Sequence, residues 1–168
     1  MDENDVSGQY LTFHMDEYFA INVQYVLEVL EYSRITIIPK TPDFMSGVIN
    51  NRGMVVPIIN LRKKFGMPNN EITPNTCFII IEILHLGEKL VIGVMVDEVQ
   101  EVIRLDSGQI EPPPNIGMSM DKQFIQGLGK TDDAFIIILD IEKILTSEEI
   151  NEINMINDKA ESLTVEEV

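Results

Sequence analysis

The sequence contains no tryptophan, a single cysteine (Cys77) and only two histidines (His14 and His85) in 168 residues. Each scarcity removes a class of explanation. A lone cysteine forms no internal disulfide, so nothing calls for an oxidising compartment and the cytoplasm is the expected home. Neither histidine stands in an H-E-x-x-H pattern and no second cysteine accompanies Cys77, so no metal site is expected. A G-x-S-x-G elbow is also missing, and with it the usual nucleophile geometry of an α/β hydrolase. Basic residues are few: 12 Lys and Arg against 28 Asp and Glu give a net charge of −16. That field opposes phosphate, and seven Phe and four Tyr offer little for base stacking, so a nucleic-acid partner is not expected. Long apolar runs are lacking as well. Phe135–Leu139 is strand-length, far short of the roughly 20 residues of a membrane helix, so direct membrane insertion is not expected. The opening residues carry no charged region followed by an apolar run, and no signal peptide is expected.

What charge there is lies unevenly. Residues 1–84 carry ten acids and six bases, whereas residues 85–168 carry eighteen and six. Between 31 and 70 the sign reverses: Arg34, Lys40, Arg52, Arg62, Lys63 and Lys64 face only Glu31 and Asp43. Two readings stay open, a scattered basic face on a soluble acidic protein or a basic patch that docks an acidic partner.

The chain is written twice. Phe44-Met45-Ser46-Gly47 matches Phe124-Ile125-Gln126-Gly127 at an offset of 80, and the same offset aligns Val56–Leu61 with Ile136–Ile141. A second match joins His14-Met15-Asp16-Glu17 to His85-Leu86-Gly87-Glu88. After a two-residue shift, Val26–Leu30 aligns with Val99–Ile103. Each repeat reads as a hairpin of alternating Val, Ile, Phe and Tyr (Tyr10–His14 into Tyr18–Ile21; Cys77–Leu84 into Leu90–Val96). A V-x-E-V segment follows, then a glycine at 47 or 127, then an apolar strand ending in Asn60 or Asp140 and a short helical turn. Such short strands are buried, and their edges hidden, by small barrels. The expected fold is therefore all-β with short helices, two five-stranded barrels in a pseudo-two-fold arrangement and a C-terminal helix. Pro57 marks an edge, bulge or strand end. Pro112-Pro113-Pro114 reads as a stiff connector. Residues 1–7 are expected to form a disordered arm, 8–150 one domain of two interleaved lobes, and 147–157 a helix capped by Ser147 with Ile150, Ile153 and Ile156 along one side. Residues 158–168 are expected to form an acidic, frayed tail.

Three constellations invite an enzymatic reading, and none carries it. Gly127-Leu128-Gly129-Lys130-Thr131 echoes a phosphate-binding loop. A glycine is required where Phe124 stands, however, and a helix should follow instead of Asp132, Asp133 and a strand; a hairpin turn fits better. His14 and His85 fall at matched repeat positions but read as polar strand ends. Asp97, Glu98 and Glu101 are neighbours that any acidic chain produces, with nothing to set their acidities apart. The chain is read as a non-enzyme without a cofactor.

Several motifs resemble the CheW coupling proteins of bacterial chemotaxis. They are Val26-x-Glu28-Val29, Thr41-Pro42-x-Phe44-x-x-Gly47-Val48-x-Asn50-x-Arg52-Gly53 and Val56-Pro57-Ile58-x-Asn60-Leu61-Arg62-x-x-Phe65. Gly93-x-x-Val96-Asp97-x-Val99-x-x-Val102, Ile110-x-Pro112-x-Pro114 and Gly127-x-Gly129 continue the match over roughly residues 8–150. The resemblance implies two SH3-like barrels and an adaptor that joins chemoreceptor cytoplasmic tips to the histidine kinase CheA at membrane-associated arrays. It places a receptor groove at Val26, Glu28, Val29, Gly47, Arg52, Cys77 and Val102, a kinase contact at Gly53 and Val55, and a ring contact at Glu111 and Ile116. Val26, Val29, Cys77 and Val102 serve equally well as core residues. The sequence departs from the family at Asn51, commonly Leu, and at Glu111, often basic. A CheW-like scaffold for another histidine-kinase pathway is the alternative, and nucleotide binding at Gly127–Thr131 a more distant one.

Overall fold

The computed structural model describes residues 8–113, 122–132 and 134–166. In chain order the elements are β1 (Gln9–Met15), β2 (Glu17–Asn22), β3 (Val26–Glu31), β4 (Met45–Asn51), β5 (Met54–Asn60) and the short α1 (Leu61–Lys64). The second repeat supplies β6 (Cys77–His85), β7 (Glu88–Val96), β8 (Glu98–Arg104), β9 (Ile110–Glu111), β10 (Ile125–Lys130), β11 (Phe135–Leu139) and α2 (Ser147–Glu166). The expected all-β class holds.

The strands do not stay within their own repeat. One sheet has the order β8-β1-β2-β11-β10-β9 and the other β3-β6-β7-β5-β4. The first hairpin is thus flanked entirely by strands of the second repeat, and the second hairpin by strands of the first. The second sheet has the five strands expected. The first has six only because Ile110–Glu111 pairs with β10, where its counterpart is the single bridge Thr36–Val48. The second sheet also curls: Asn51 at the end of β4 donates to the Glu28 carboxylate on β3 at 3.1 Å, joining the two ends of the strand order.

Hydrogen-bond register carries the pseudo-symmetry further than the sequence does. Both β4–β5 and β10–β11 slip register between equivalent residues, Met45/Gly47 and Ile125/Gly127. The parallel junctions also match, Ile58 opposite Gly93 and Ile138 opposite Ala20. Val29 pairs with Ile79 and Val102 with Leu11, so β1 and β6 correspond at an offset of 68; Ala20 and Gly93 set 73 for β2 and β7. The second hairpin is therefore five residues longer. His14 corresponds to Glu82, not to His85 as the matched turn motifs suggest. The face a strand buries fixes its register, and a turn motif can slide along a lengthened hairpin without disturbing it.

Burial in the second hairpin goes beyond the alternation read from the sequence. In β6, Cys77, Phe78, Ile79, Ile80 and Ile81 are all buried. Ile79 and Ile81 pack with Leu11, Phe13, Ile21, Ile59, Leu139 and Ile153 in a core shared by both sheets. Phe78 and Ile80 instead join Ile49, Val56 and Ile58 inside the second sheet's curl. Tyr10, Ala20, Leu105, Ile136 and Ile138 form the matching interior of the first sheet. A strand with a private core on one face and a shared core on the other reads as a continuous apolar run.

Three local expectations are refined. Pro57 lies within β5, but pairing to β7 begins only at Ile58, so the missing N–H falls where the strand has β4 alone beside it. Gly127–Lys130 is strand β10 rather than a turn, and beyond it Thr131 N–H donates to Ala134 O at 3.0 Å. The α2 cap is Thr146, not Ser147: Glu149 N–H donates to Thr146 Oγ1 (3.1 Å) and Thr146 N–H to Glu149 Oε1 (2.8 Å), a capping box. Ile150 and Ile153 are buried and Ile156 packs on Ile38, Met45 and Val48, as the stripe requires. The helix continues to Glu166, past the expected end at Asn157, because no glycine or proline interrupts 147–166. Residues 1–7 lie outside the described residues.

Candidate functional site

The two V-x-E-V strands end up as edges, β3 on the second sheet and β8 on the first. Edge strands in soluble proteins normally carry polar outward side chains. These expose Leu27 (52%), Val29 (44%) and Val102 (54%). Val29 and Val102 occupy equivalent positions in the two sheets. Between the edges, Val26 and Val99 pack on the shared core beside Cys77. Burial pushes the Cys77 thiol up, against an opposing hydrogen bond with the Val99 backbone, so it acts as a small apolar group rather than a reactive thiolate.

Glu28 lies on β3 between Leu27 and Val29. Arg52 reaches it at 3.4 Å, with Asn51 as a second donor. Asn51, a departure from the family pattern, thus reinforces the carboxylate's position. Arg52 and Gly53 form a two-residue turn with φ of 54° and 83°. Positive φ at both positions favours Asn or Gly at the first; an arginine there, with its side chain 79% exposed, is held at a conformational cost and presented to solvent. Val55 is half-buried against Ile38, Met45 and Val48. Gly47 is buried, and a Cβ on it would meet the Thr36 carbonyl oxygen at 2.3 Å, so its demand is packing. Glu111 forms an ion pair with Lys130 at 2.5 Å, giving this acidic variant of the position its own partner. Ile116 lies outside the described residues.

The structure thus joins Glu28 with Arg52, sets Val26 and Cys77 on one core, and leaves Val29 and Val102 open on matched edges. Gly53 adjoins Arg52 in the β4–β5 turn, whereas Gly47 and Val55 lie along the strands of that hairpin. The basic patch of residues 31–70 is reduced. Arg62 is 6% exposed, with Asp16 (2.8 Å) and Asp97 (2.5 Å) as partners, and Lys64 binds Glu149 at 2.6 Å between the rings of Phe44 and Phe124. The Arg62 cluster ties α1 to the β1–β2 turn and to the β7–β8 corner. Sequence reading missed it because its partners lie 46 and 35 residues away with no local signal. The nucleotide reading does not survive, since Gly127, Leu128, Gly129 and Lys130 pair with β11 and two of them also with β9. Among the described residues no group of three or more His, Cys, Asp or Glu is arranged for a metal ion, and no helix is long and apolar enough to cross a membrane.

The CheW-like domain family matches residues 9–149. The chain belongs to the CheW family. It is 37% identical over 145 residues to the chemotaxis protein CheW of Klebsiella aerogenes, covering 86% of this chain and 85% of that one. It is 35% identical over 136 residues to that of Thermotoga maritima, covering 80% and 85%. Among solved structures, the scaffolding protein TtCheW from Thermoanaerobacter tengcongensis matches with a TM-score of 0.75 at 35% identity, covering 89% of this chain and 94% of that one. The family match ends within the first turn of α2, so most of that helix lies beyond it.

The anchoring of α2 has a pH signature. Burial raises the Glu149 carboxyl, but hydrogen bonds from Lys64 and Thr146 outweigh it and hold the group below 4.5; those from Arg62, against a smaller desolvation, hold Asp16 below 3.8. Depressed folded-state values stabilise the protein above the ordinary carboxylate range, and this is lost as pH falls through the folded values. Urea denaturation should therefore give constant stability above about pH 5 and a decline below it. Glu149→Gln should cost about 1–2 kcal/mol at pH 7 and flatten that decline. An unchanged acid slope in the variant would assign the decline to other carboxylates.

Proposed function

We propose that this chain is a non-catalytic adaptor that couples chemoreceptor cytoplasmic tips to the histidine kinase CheA. What carries the reading is the β3 edge: Leu27 and Val29 exposed on either side of Glu28, with Arg52 held at positive φ beside it. Apolar side chains on an unpaired edge offer anchors to a helical hairpin, and the Glu28–Arg52 pair at the adjoining rim sets its register. Val26, Cys77 and Val102 extend the receptor groove towards β8, with Gly47 supporting the β4 side. Gly53 and Val55 form the kinase contact, barrel end to barrel end, and Glu111 with Ile116 the ring contact. Family membership supports the adaptor role, as do relatives described as chemotaxis proteins and a solved relative described as a scaffolding protein. Signal passes without chemistry at this protein: receptor and kinase are held together, so a small motion of one changes the contacts of the other.

Arg52→Glu tests the groove. The substitution sets two like charges side by side on a solvated surface, so stability should change by less than about 1 kcal/mol. Receptor-fragment capture should fall roughly tenfold or more, while kinase capture persists. Equal capture of receptor by both forms would remove Arg52 from the site. In a reconstituted mixture of receptor, kinase and this chain, failure to raise or gate kinase activity would remove the adaptor reading itself.

A further inference from the structure

The β6–β7 hairpin, five residues longer than its counterpart, ends differently. The β1–β2 turn is short and gripped at Asp16 by Arg62. At the β6–β7 tip, Leu84 and Leu86 stand 61% and 89% exposed. Leu86 also takes φ 51° at the first position of a two-residue turn whose second is Gly87 (φ 80°), where Asn, Asp or Gly would be relaxed. A leucine kept there bears both a backbone cost and an apolar exposure. Glu88 and Lys89 follow directly, with Lys89 only loosely paired to Glu82 at 3.8 Å.

A complementary cleft lies between the Lys40–Pro42 segment and α2. It has a volume of about 380 Å³ and is lined by Lys40, Thr41, Pro42, Glu152, Met155 and Ile156. Met155 is 73% exposed beside it, so its apolar wall faces solvent. The two charged residues of the cleft are Lys40 and Glu152, of opposite sign. The two residues that follow the apolar turn are Glu88 and Lys89, of opposite sign again. Cleft and tip occupy opposite ends of the second sheet: β5 and β7 run parallel and both begin at the tip end, whereas the cleft lies beyond the far end of β5, where Met45 pairs with Ile59.

We propose that the Leu84–Leu86 tip of one copy of this chain seats in the Lys40–Ile156 cleft of a second copy, with Glu88 facing Lys40 and Lys89 facing Glu152. An anionic lipid surface is the poorer occupant for the tip, since Glu82 and Glu88 flank the leucines and a lone Lys89 is the base beside them, whereas the cleft offers Lys40 to Glu88 and Glu152 to Lys89. Because the surfaces differ and lie at opposite ends, the contact is heterologous and adds copies in one direction. A patch this small gives a weak contact that matters where copies are concentrated.

Sedimentation equilibrium of the full chain from roughly 10 μM to 1 mM tests this. The average mass of the wild type should rise across that range. Leu86→Asn is the decisive variant, because asparagine suits the positive φ and should leave thermal stability equal or higher while the mass stays at that of a monomer. Met155→Glu should weaken association from the other side. Glu88→Lys should weaken it roughly tenfold, and pairing it with Lys40→Glu should recover most of the loss. A wild type that remains monomeric throughout, a Leu86→Asn protein that associates like the wild type, or an exchanged pair that recovers nothing overturns the proposal.

Discussion

Replacing Gly47 by alanine should cost roughly 3–5 kcal/mol, lowering the melting temperature by about 10 °C or more. The backbone sits at φ +146°, and the new Cβ would stand 2.3 Å from the Thr36 carbonyl oxygen and 2.7 Å from Ile35 Cγ2. That oxygen cannot move aside cheaply. Thr36 is bonded to Val48 in both directions, N–H to O at 2.8 Å and O from N–H at 2.9 Å. Gly53→Ala is the control: φ is also positive, at +83°, but nothing lies within 4 Å of the added atom, so only the conformational cost of about 1 kcal/mol remains. Thermal unfolding of the two variants side by side decides the matter. A Gly47→Ala loss no larger than that of Gly53→Ala would mean that the strand crossing relaxes. Lost receptor binding in Gly47→Ala would then need to be separated from lost fold before the glycine is counted as a contact.

Arg62→Leu should destabilise by about 2–4 kcal/mol. The guanidinium is almost fully buried and bonds to Asp16, Asp97 and the Pro68 carbonyl, the last at 2.9 Å. Its removal leaves two carboxylates facing each other. The cost stays below that of a fully buried pair because the Asp16 side chain is 58% exposed and can turn to water. Neutralising the acids should show the coupling: Asp16→Asn combined with Arg62→Leu should cost less than the sum of the two single changes, by at least about 1 kcal/mol in urea denaturation. Strict additivity would show that Arg62 stabilises by packing its stem alone.

The repeat and its apolar strands were legible because period-2 alternation and turn residues are local properties. So was the Ile150, Ile153 and Ile156 stripe, which depends on one helix and one face. The grouping of Glu28 with Arg52 followed from motif resemblance, whereas their contact depends on a sheet curling back on itself, which no spacing reports. Interleaved lobes were expected, but which hairpin is exchanged left no local trace, since a strand pairs equally well with either copy of a similar neighbour. Arg62 was hidden in the same way. Three consecutive bases, Arg62, Lys63 and Lys64, look alike in sequence, yet the first binds two distant aspartates, the second is exposed and the third lies between two phenylalanines. The His14–His85 match was misleading because lengthening a hairpin moves its turn, not its register.

The exchange of hairpins has a consequence for synthesis. When β1 and β2 leave the ribosome, one flank of the hairpin has no partner until β8 is made, and the other waits for β11. The contact between Thr12 and Glu101 spans 89 residues. Pairings this distant slow folding, and they leave apolar edges open while the second repeat is still being translated. Neither repeat alone holds a complete sheet, so a nascent chain halted between Phe65 and Cys77 presents two unfinished sheets instead of one finished lobe. The first sheet closes only once β11 has been made.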